Sequence, residues 1–215
     1  MPDDSNNSEQ SNDSKPRTQV FNGVAVPTVE PEEGIDYFPE YEDGTSSALR
    51  RRVRPGDDVV VVGGGRGITT VSAARATGPE GSVTTYEANA EMLQTLQRTI
   101  LANRVTDRVT LEHAAVGPVQ EGSKETFGPP DGDRRDPSAI PDCDVLELDC
   151  EGSEVEVLQN LEARPRVVVV ETHEPIGVPS ADSEAALEAM GYRIENCVDA
   201  GANDELEVLT AVRAE

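Results

Sequence analysis

Val59 to Val62 run without a polar residue into Gly63-Gly64-Gly65-Arg66-Gly67, and that junction limits the possible folds more than any other stretch. A valine strand with no alternation must be covered on both faces, so residues 58–62 belong at the centre of a sheet. Glycines serve where backbone turns sharply and approaches a ligand closely, and a helix beginning there leaves N–H groups unpaired. The scheme then repeats. Strands are expected over 82–87, 109–113, 144–148 and 167–171, and helices over 68–77, 90–103, 153–161 and 181–190. Alternating strand and helix patterns mean βα units, hence a three-layer α/β fold with a mostly parallel sheet. Residues 192–197 and 206–213 are expected to close it as a C-terminal antiparallel hairpin, and no internal repeat is visible.

The 215 residues suit one globular unit with a tail. Residues 1–17 contain no apolar side chain after Met1, too little to offset chain entropy, and read as a disordered acidic tail. Residues 18–54 form an N-terminal segment that packs on the core. Its Tyr37, Phe38 and Tyr41 are packing residues or a lid over the site, and 43–56 reads as an approach ending in an arginine cluster and a turn. Arg50, Arg51, Arg52 and Arg54 are a solvated face or a contact for an anionic acceptor. The main domain is 55–215. Within it, 117–141 is a long connection without periodicity, of the kind that is functional or disordered.

Acidic side chains number 42 against 18 basic ones, for a net charge of −24. Such a surface repels phosphate backbones and anionic lipid heads, so the expected partners exclude nucleic acid and membrane. Lys15 and Lys124 are the only lysines. Excess carboxylate with little lysine reads as adaptation to concentrated intracellular salt, which screens self-repulsion over a few Å. Cys143, Cys150 and Cys197 lack zinc spacing and follow no secretory leader. No apolar run is long enough to span a bilayer. A soluble, cytoplasmic protein is the expectation; the oligomeric state is not legible.

Candidate site residues gather at strand ends. Glu87 closes the second strand, where a carboxylate can accept hydrogen bonds from both ribose hydroxyls; a tight turn with a solvated glutamate has the same appearance. A dinucleotide fingerprint requires Gly or Ala where Ile68 stands. The spacing is G-x-G-x-G, similar to the S-adenosylmethionine loop of class I methyltransferases. Asp149 and Glu151 follow the strand 144–148 into the crevice where open α/β sheets bind ligands, with Ser153 and Glu154 read as capping the next helix. Glu171 and His173 share one face of the strand after it. Beside Asp149 and Glu151 they suit a general base for a hydroxyl acceptor or a divalent metal. No metal is assigned.

The order of the glycine loop, Tyr86-Glu87-Ala88-Asn89, His113-Ala114-Ala115-Val116-Gly117, Leu148-Asp149-Cys150-Glu151-Gly152-Ser153-Glu154 and Val170-Glu171-Thr172-His173 resembles the FkbM family of S-adenosylmethionine-dependent methyltransferases. The resemblance covers residues 55–175. It implies a Rossmann-like class I fold with a seven-stranded sheet and methylation of a hydroxyl on a sugar or other small metabolite. By the same resemblance Gly63, Gly65 and Gly67 line the methionine part of the cofactor, Glu87 holds the ribose, and Ala88 and Ala115 flank adenine. Asp149 reaches cofactor or acceptor, while Glu151, Glu171 and His173 face the acceptor as catalytic candidates. One position departs from the pattern: Val61 stands where the family places an acid, so cofactor affinity is lower or another acid replaces it. Two alternatives stay open. One is a non-catalytic protein that keeps this fold in a regulatory role; the other, an NAD(P)-dependent oxidoreductase or epimerase, is disfavoured by Ile68 and by the absence of a Tyr-x-x-x-Lys pair.

Overall fold

The computed structural model describes residues 17–29, 40–118, 129–201 and 206–214. Its elements are β1 (Arg17–Phe21), β2 (Val24–Val29), α1 (Asp43–Arg52), β3 (Asp58–Val62), α2 (Ile68–Thr77), β4 (Ser82–Glu87), α3 (Ala90–Ala102), β5 (Val109–Val116), β6 (Asp133–Arg135), β7 (Val145–Leu148), α4 (Glu154–Asn160), β8 (Val167–His173), α5 (Ser180–Ala189), β9 (Tyr192–Asp199) and β10 (Leu206–Arg213). The ten strands among the described residues divide into a two-stranded hairpin and an eight-stranded sheet of order β6-β5-β4-β3-β7-β8-β10-β9. The parallel pairings run from β6 through β8, and β10 is antiparallel to both β8 and β9. The architecture is therefore the α/β, three-layer, mostly parallel one with a terminal hairpin.

Valine strands divide their side chains between two cores, as period-2 geometry requires. Val59, Val61, Val145, Val167 and Val169 face one layer with Leu49, Ile68, Val71, Leu96 and Ile100, which come from α1, α2 and α3. Val60, Val62, Leu146, Leu148, Val168 and Val170 face the other with Val157, Leu158 and Leu187, from α4 and α5. Each fully buried valine contributes on the order of 1.5 kcal/mol or more. The sheet is anchored where β3 is flanked by β4 on one side and β7 on the other. Chain direction diverges there, and a crevice opens beyond the carboxyl ends of the strands.

Three features differ from expectation. The sheet has eight strands rather than seven, because Asp133–Arg135, inside the supposed loop 117–141, pairs with the end of β5. The stretch read as an approach and a turn is helix α1, whose buried residues are Gly44, Thr45, Ser46, Ala48 and Leu49. Packing of small side chains replaces the apolar stripe that periodicity would detect. The polar tail lies outside the described residues except for Arg17, which opens β1. Asn22 and Gly23 turn the β1–β2 hairpin with positive φ at both positions, as a two-residue turn of matching twist demands. Asn103 then clamps the hairpin to the end of α3, donating to the Ala25 carbonyl and accepting from its N–H.

Candidate active site

The glycine loop is stitched between β4 and β7. Gly63 and Gly64 both donate to the Tyr86 carbonyl, and Asp149 donates to the Val62 carbonyl. Gly63 has φ +97, and a Cβ there would lie 1.7 Å from the Asp149 carbonyl oxygen. Only a residue without a side chain lets the two strand ends approach so closely. Gly65 differs: the nearest atom to a Cβ there is Glu42 Oε1 at 3.9 Å. Its open side faces a cleft of about 790 Å³, mouth included, that is lined by Gly63, Gly65, Glu87, Ala88, Ala115 and Asp149 among others. Gly67, expected with the cofactor contacts, is absent from this lining. It precedes α2 with φ +88, and its Cα packs against Leu96 and Thr99.

Glu87 sits on the floor of the cleft and ties its neighbours together. Its Oε2 accepts from the Gly65 N–H and its Oε1 from the Asn89 N–H, both at 2.8 Å. Burial raises its carboxyl above the usual range, opposed by those backbone N–H groups. Each oxygen retains a lone pair for a further donor. Val62, Met92, Ala114 and Val116 supply apolar wall. His113, off to one side, meets Asp131 at 3.1 Å.

A cluster of acids and one histidine lies on the β7–β8 side. Asp149 and Glu151 line the cleft, whereas Glu171 and His173 are not in its lining. These two are 7% and 4% exposed and stand beneath it. His173 Nε2 lies 3.4 Å from Asp149 Oδ1 and 3.7 Å from Glu151 Oε2, and its Nδ1 lies 3.0 Å from Glu154 Oε1. Glu151 holds a left-handed backbone at φ 53, an uncommon conformation for a side chain of this kind and one that tends to persist at functional sites. The helix start is not capped by the Ser153 side chain. Glu154 takes that part, its Oε1 accepting from the N–H groups of Cys150 and Gly152 at 3.1 Å.

Charge crowding moves the acids together. Burial, then Glu171 and Glu151, push the Asp149 carboxyl well up; burial raises Glu151 and Glu171, against the pull of His173. Burial pulls the His173 imidazolium down, but Glu154, Glu151 and Glu171 outweigh it and leave it raised.

Sequence reasoning missed two members. Glu42, before α1, lines the cleft beside Gly65. Burial and Glu171 push its carboxyl up to about 8, and it holds positive φ at 57. No spacing rule links this residue to the glycine loop. Tyr41 beside it also lines the cleft, with the Arg66 guanidinium 5.3 Å from its ring centre and Phe21 edge-on at 5.9 Å; Tyr37 and Phe38 lie outside the described residues. Glu147 is the second: it is fully buried, and neither carboxylate oxygen has a hydrogen bond. It stands level with Val61 on one side and Val169 on the other. A glutamate in phase with Val145 was the available signal. The arginine cluster is elsewhere: Arg50 donates to the Asn22 carbonyl and Arg52 pairs with Glu195, roughly 15 Å along α1 from Glu42 at 1.5 Å per residue.

Solved structures share this architecture. Precorrin-6y C5,15-methyltransferase from Geobacter metallireducens GS-15 matches at 18% identity and TM-score 0.57, covering 86% of this chain and 93% of that one. Aeropyrum pernix fibrillarin with natively bound S-adenosyl-L-methionine matches at 15% and 0.52, covering 93% and 83%. M. jannaschii tRNA m1G37 methyltransferase matches at 10% and 0.58, covering 93% and 57%. No family model matches the chain, and no curated protein matches it in sequence. These likenesses establish the Rossmann-like methyltransferase fold.

Proposed function

We propose that the protein is an S-adenosylmethionine-dependent methyltransferase of FkbM type, acting on a hydroxyl of a sugar or other small metabolite. The observation that carries this reading is the cleft itself. Gly65 offers open backbone, Glu87 offers fixed lone pairs, and Ala88 and Ala115 stand on an apolar wall at the carboxyl ends of β3, β4 and β5. That set fits an adenosine with a methionine tail. When bound, the cofactor supplies a methyl group on sulfonium: an O–CH3 bond forms as the S–CH3 bond breaks, leaving the thioether.

The residues of this chain do the rest. Gly63 and Gly65 shape the loop, Glu87 holds the ribose hydroxyls, and Glu42 takes the place of the acid missing at Val61. Glu151, facing the cleft, accepts the hydroxyl proton. Alignment of acceptor and sulfonium supplies most of the rate. The net charge of −24 favours a neutral small acceptor over RNA; Tyr41 and Glu42, from the segment before the 55–215 domain, line the site, and the acidity reflects a salt-rich cytoplasm.

Calorimetry with S-adenosylhomocysteine in molar potassium chloride tests the cofactor. Micromolar binding is expected, with none for NAD; NAD binding in its place overturns the reading, and a folded protein that binds neither has lost the cofactor. Glu87→Ala weakens S-adenosylhomocysteine binding at least tenfold, on the order of 1.5 kcal/mol for a charge-assisted hydrogen-bond pair. An unchanged affinity removes Glu87 from the site. With an acceptor found by screening hydroxylated metabolites for S-adenosylhomocysteine release, Glu151→Gln lowers turnover by about 100-fold or more and leaves cofactor affinity alone. A normal rate in that variant would take the proton elsewhere.

A further inference from the structure

We propose that Asp149, Glu171 and His173 form a binding site for one divalent cation, Mn²⁺ by the chemistry of its ligands, just beneath the cleft beside Glu151. One ligand atom from each of the three already lies within 4.8 Å of the others. Metal–ligand bonds of 2.0–2.2 Å place ligand atoms about 3 to 4.4 Å apart, so small side-chain rotations close the site.

The surroundings of His173 are those of a metal ligand. Glu154 Oε1, fixed by the Cys150 and Gly152 N–H groups, faces Nδ1 at 3.0 Å. Nδ1 makes no hydrogen bond, but the negative charge of Glu154 favours a proton on it, and Nε2 lies on the other side, 3.4 Å from Asp149 Oδ1. Carboxylate behind histidine behind metal is the usual outer arrangement of such sites. Asp149 Oδ1 is shut from water and without a hydrogen bond. At 3.4 Å and without a hydrogen bond, Nε2 and Oδ1 stand at a spacing that one cation bound to both can hold.

A second observation points the same way. Glu147, two residues before Asp149, is fully buried and both of its oxygens lack hydrogen bonds. An unpaired carboxylate in a valine core costs several kcal/mol unless it is neutralised. A dication bound beside them offsets two of the negative charges that Glu147, Asp149, Glu151 and Glu171 carry when ionised. Oxygen donors with a single imidazole suit Mn²⁺ better than the thiolate-seeking metals. Its catalytic use rests on the methyl-transfer reading: an acceptor hydroxyl bound at an open position becomes more acidic and gives its proton to Glu151. The existence of the site does not rest on that reading.

The test is Mn²⁺ titration of the full-length protein, stripped with chelator and held in molar potassium chloride without any cofactor. Free Mn²⁺ is followed by electron paramagnetic resonance, and bound Mn²⁺ is examined by pulsed methods for nitrogen coupling. The expected result is one tight equivalent per chain carrying a histidine nitrogen signal. Glu171→Gln, close in shape to the parent, weakens it at least tenfold; His173→Ala abolishes the nitrogen signal; Glu188→Gln, on the exposed side of α5, changes neither. No tight equivalent overturns the proposal and leaves protons as the neutralising species. Binding without nitrogen coupling, indifferent to Glu171→Gln, overturns it as well and assigns the ion to the acidic surface. Because cofactor is absent, either failure is separate from the S-adenosylhomocysteine measurement.

Discussion

Gly63→Ala is expected to destabilise the protein by about 3 kcal/mol or more, while Gly65→Ala is expected to cost about 1 kcal/mol and to lose cofactor affinity instead. The two glycines share a loop and a positive φ, +97 and +47, yet differ in what lies over the α-carbon. At Gly63 a methyl group would overlap the Asp149 carbonyl carbon and oxygen, at 2.7 and 1.7 Å. Backbone cannot swing away as a side chain can, so β7 must separate from β3 just where Asp149 donates to the Val62 carbonyl. That loss is a large part of the 5–15 kcal/mol typical of a domain. At Gly65, φ lies in the left-handed region that other residues enter at about 1 kcal/mol, and the methyl meets no atom closer than 3.9 Å. It projects into the cleft. Urea denaturation and S-adenosylhomocysteine calorimetry on both variants measure the contrast. Equal stability losses would mean that the loop glycines share one role, against the geometry.

This division of labour marks how far the sequence could be read. Continuous apolar runs and glycine punctuation located β3, α2, β4 and β10 with the observed bounds, because a strand buried on both faces has no alternative arrangement. The α1 helix was invisible for the opposite reason. Its inward face of Gly44, Thr45, Ser46, Ala48 and Leu49 has one large apolar side chain among small ones, so hydropathy has little to register. β6 consists of Asp133, Arg134 and Arg135, all exposed, and is held by backbone pairing with β5 and by polar side-chain contacts, with no apolar residue to mark it. Among site residues, those on strand ends were legible since a parallel sheet delivers its carboxyl ends to one edge. Glu87, Asp149 and Glu151 accordingly line the cleft, with Glu171 and His173 just below. Glu42 was not, since it arrives from a turn before the first core strand. Contact across the chain, rather than any periodicity, brings it to Gly65.

Glu147→Leu should make the metal-free protein more stable by about 1–4 kcal/mol, the range seen when buried charges give way to apolar side chains of similar volume. The position is a valine environment in all but name. Val61 and Val169 flank Glu147 in register, the side chain is sealed from water, and neither oxygen finds a donor. Desolvation, followed by the charges of Glu42 and Glu171, raises its carboxyl well above the ordinary range, so folding must either bury a charge or take up a proton. Leucine removes that choice. In a domain of this size each kcal/mol moves the melting temperature by roughly 2–4 °C, readily seen by calorimetry in chelator. Glu147→Gln should gain much less, since an amide in the same place still lacks partners. Added Mn²⁺ should then narrow the gap between parent and Glu147→Leu, because the negative charge that burdens the metal-free core favours a dication bound to its neighbours. A leucine variant less stable than the parent in chelator would show that the carboxylate is held by compensation other than a cation. A gap unchanged by Mn²⁺ would separate Glu147 from the metal. A gap that narrows ties the parent's disadvantage to function: the chain carries an acid where a valine would pack better, and occupancy of the neighbouring site makes that acid less costly.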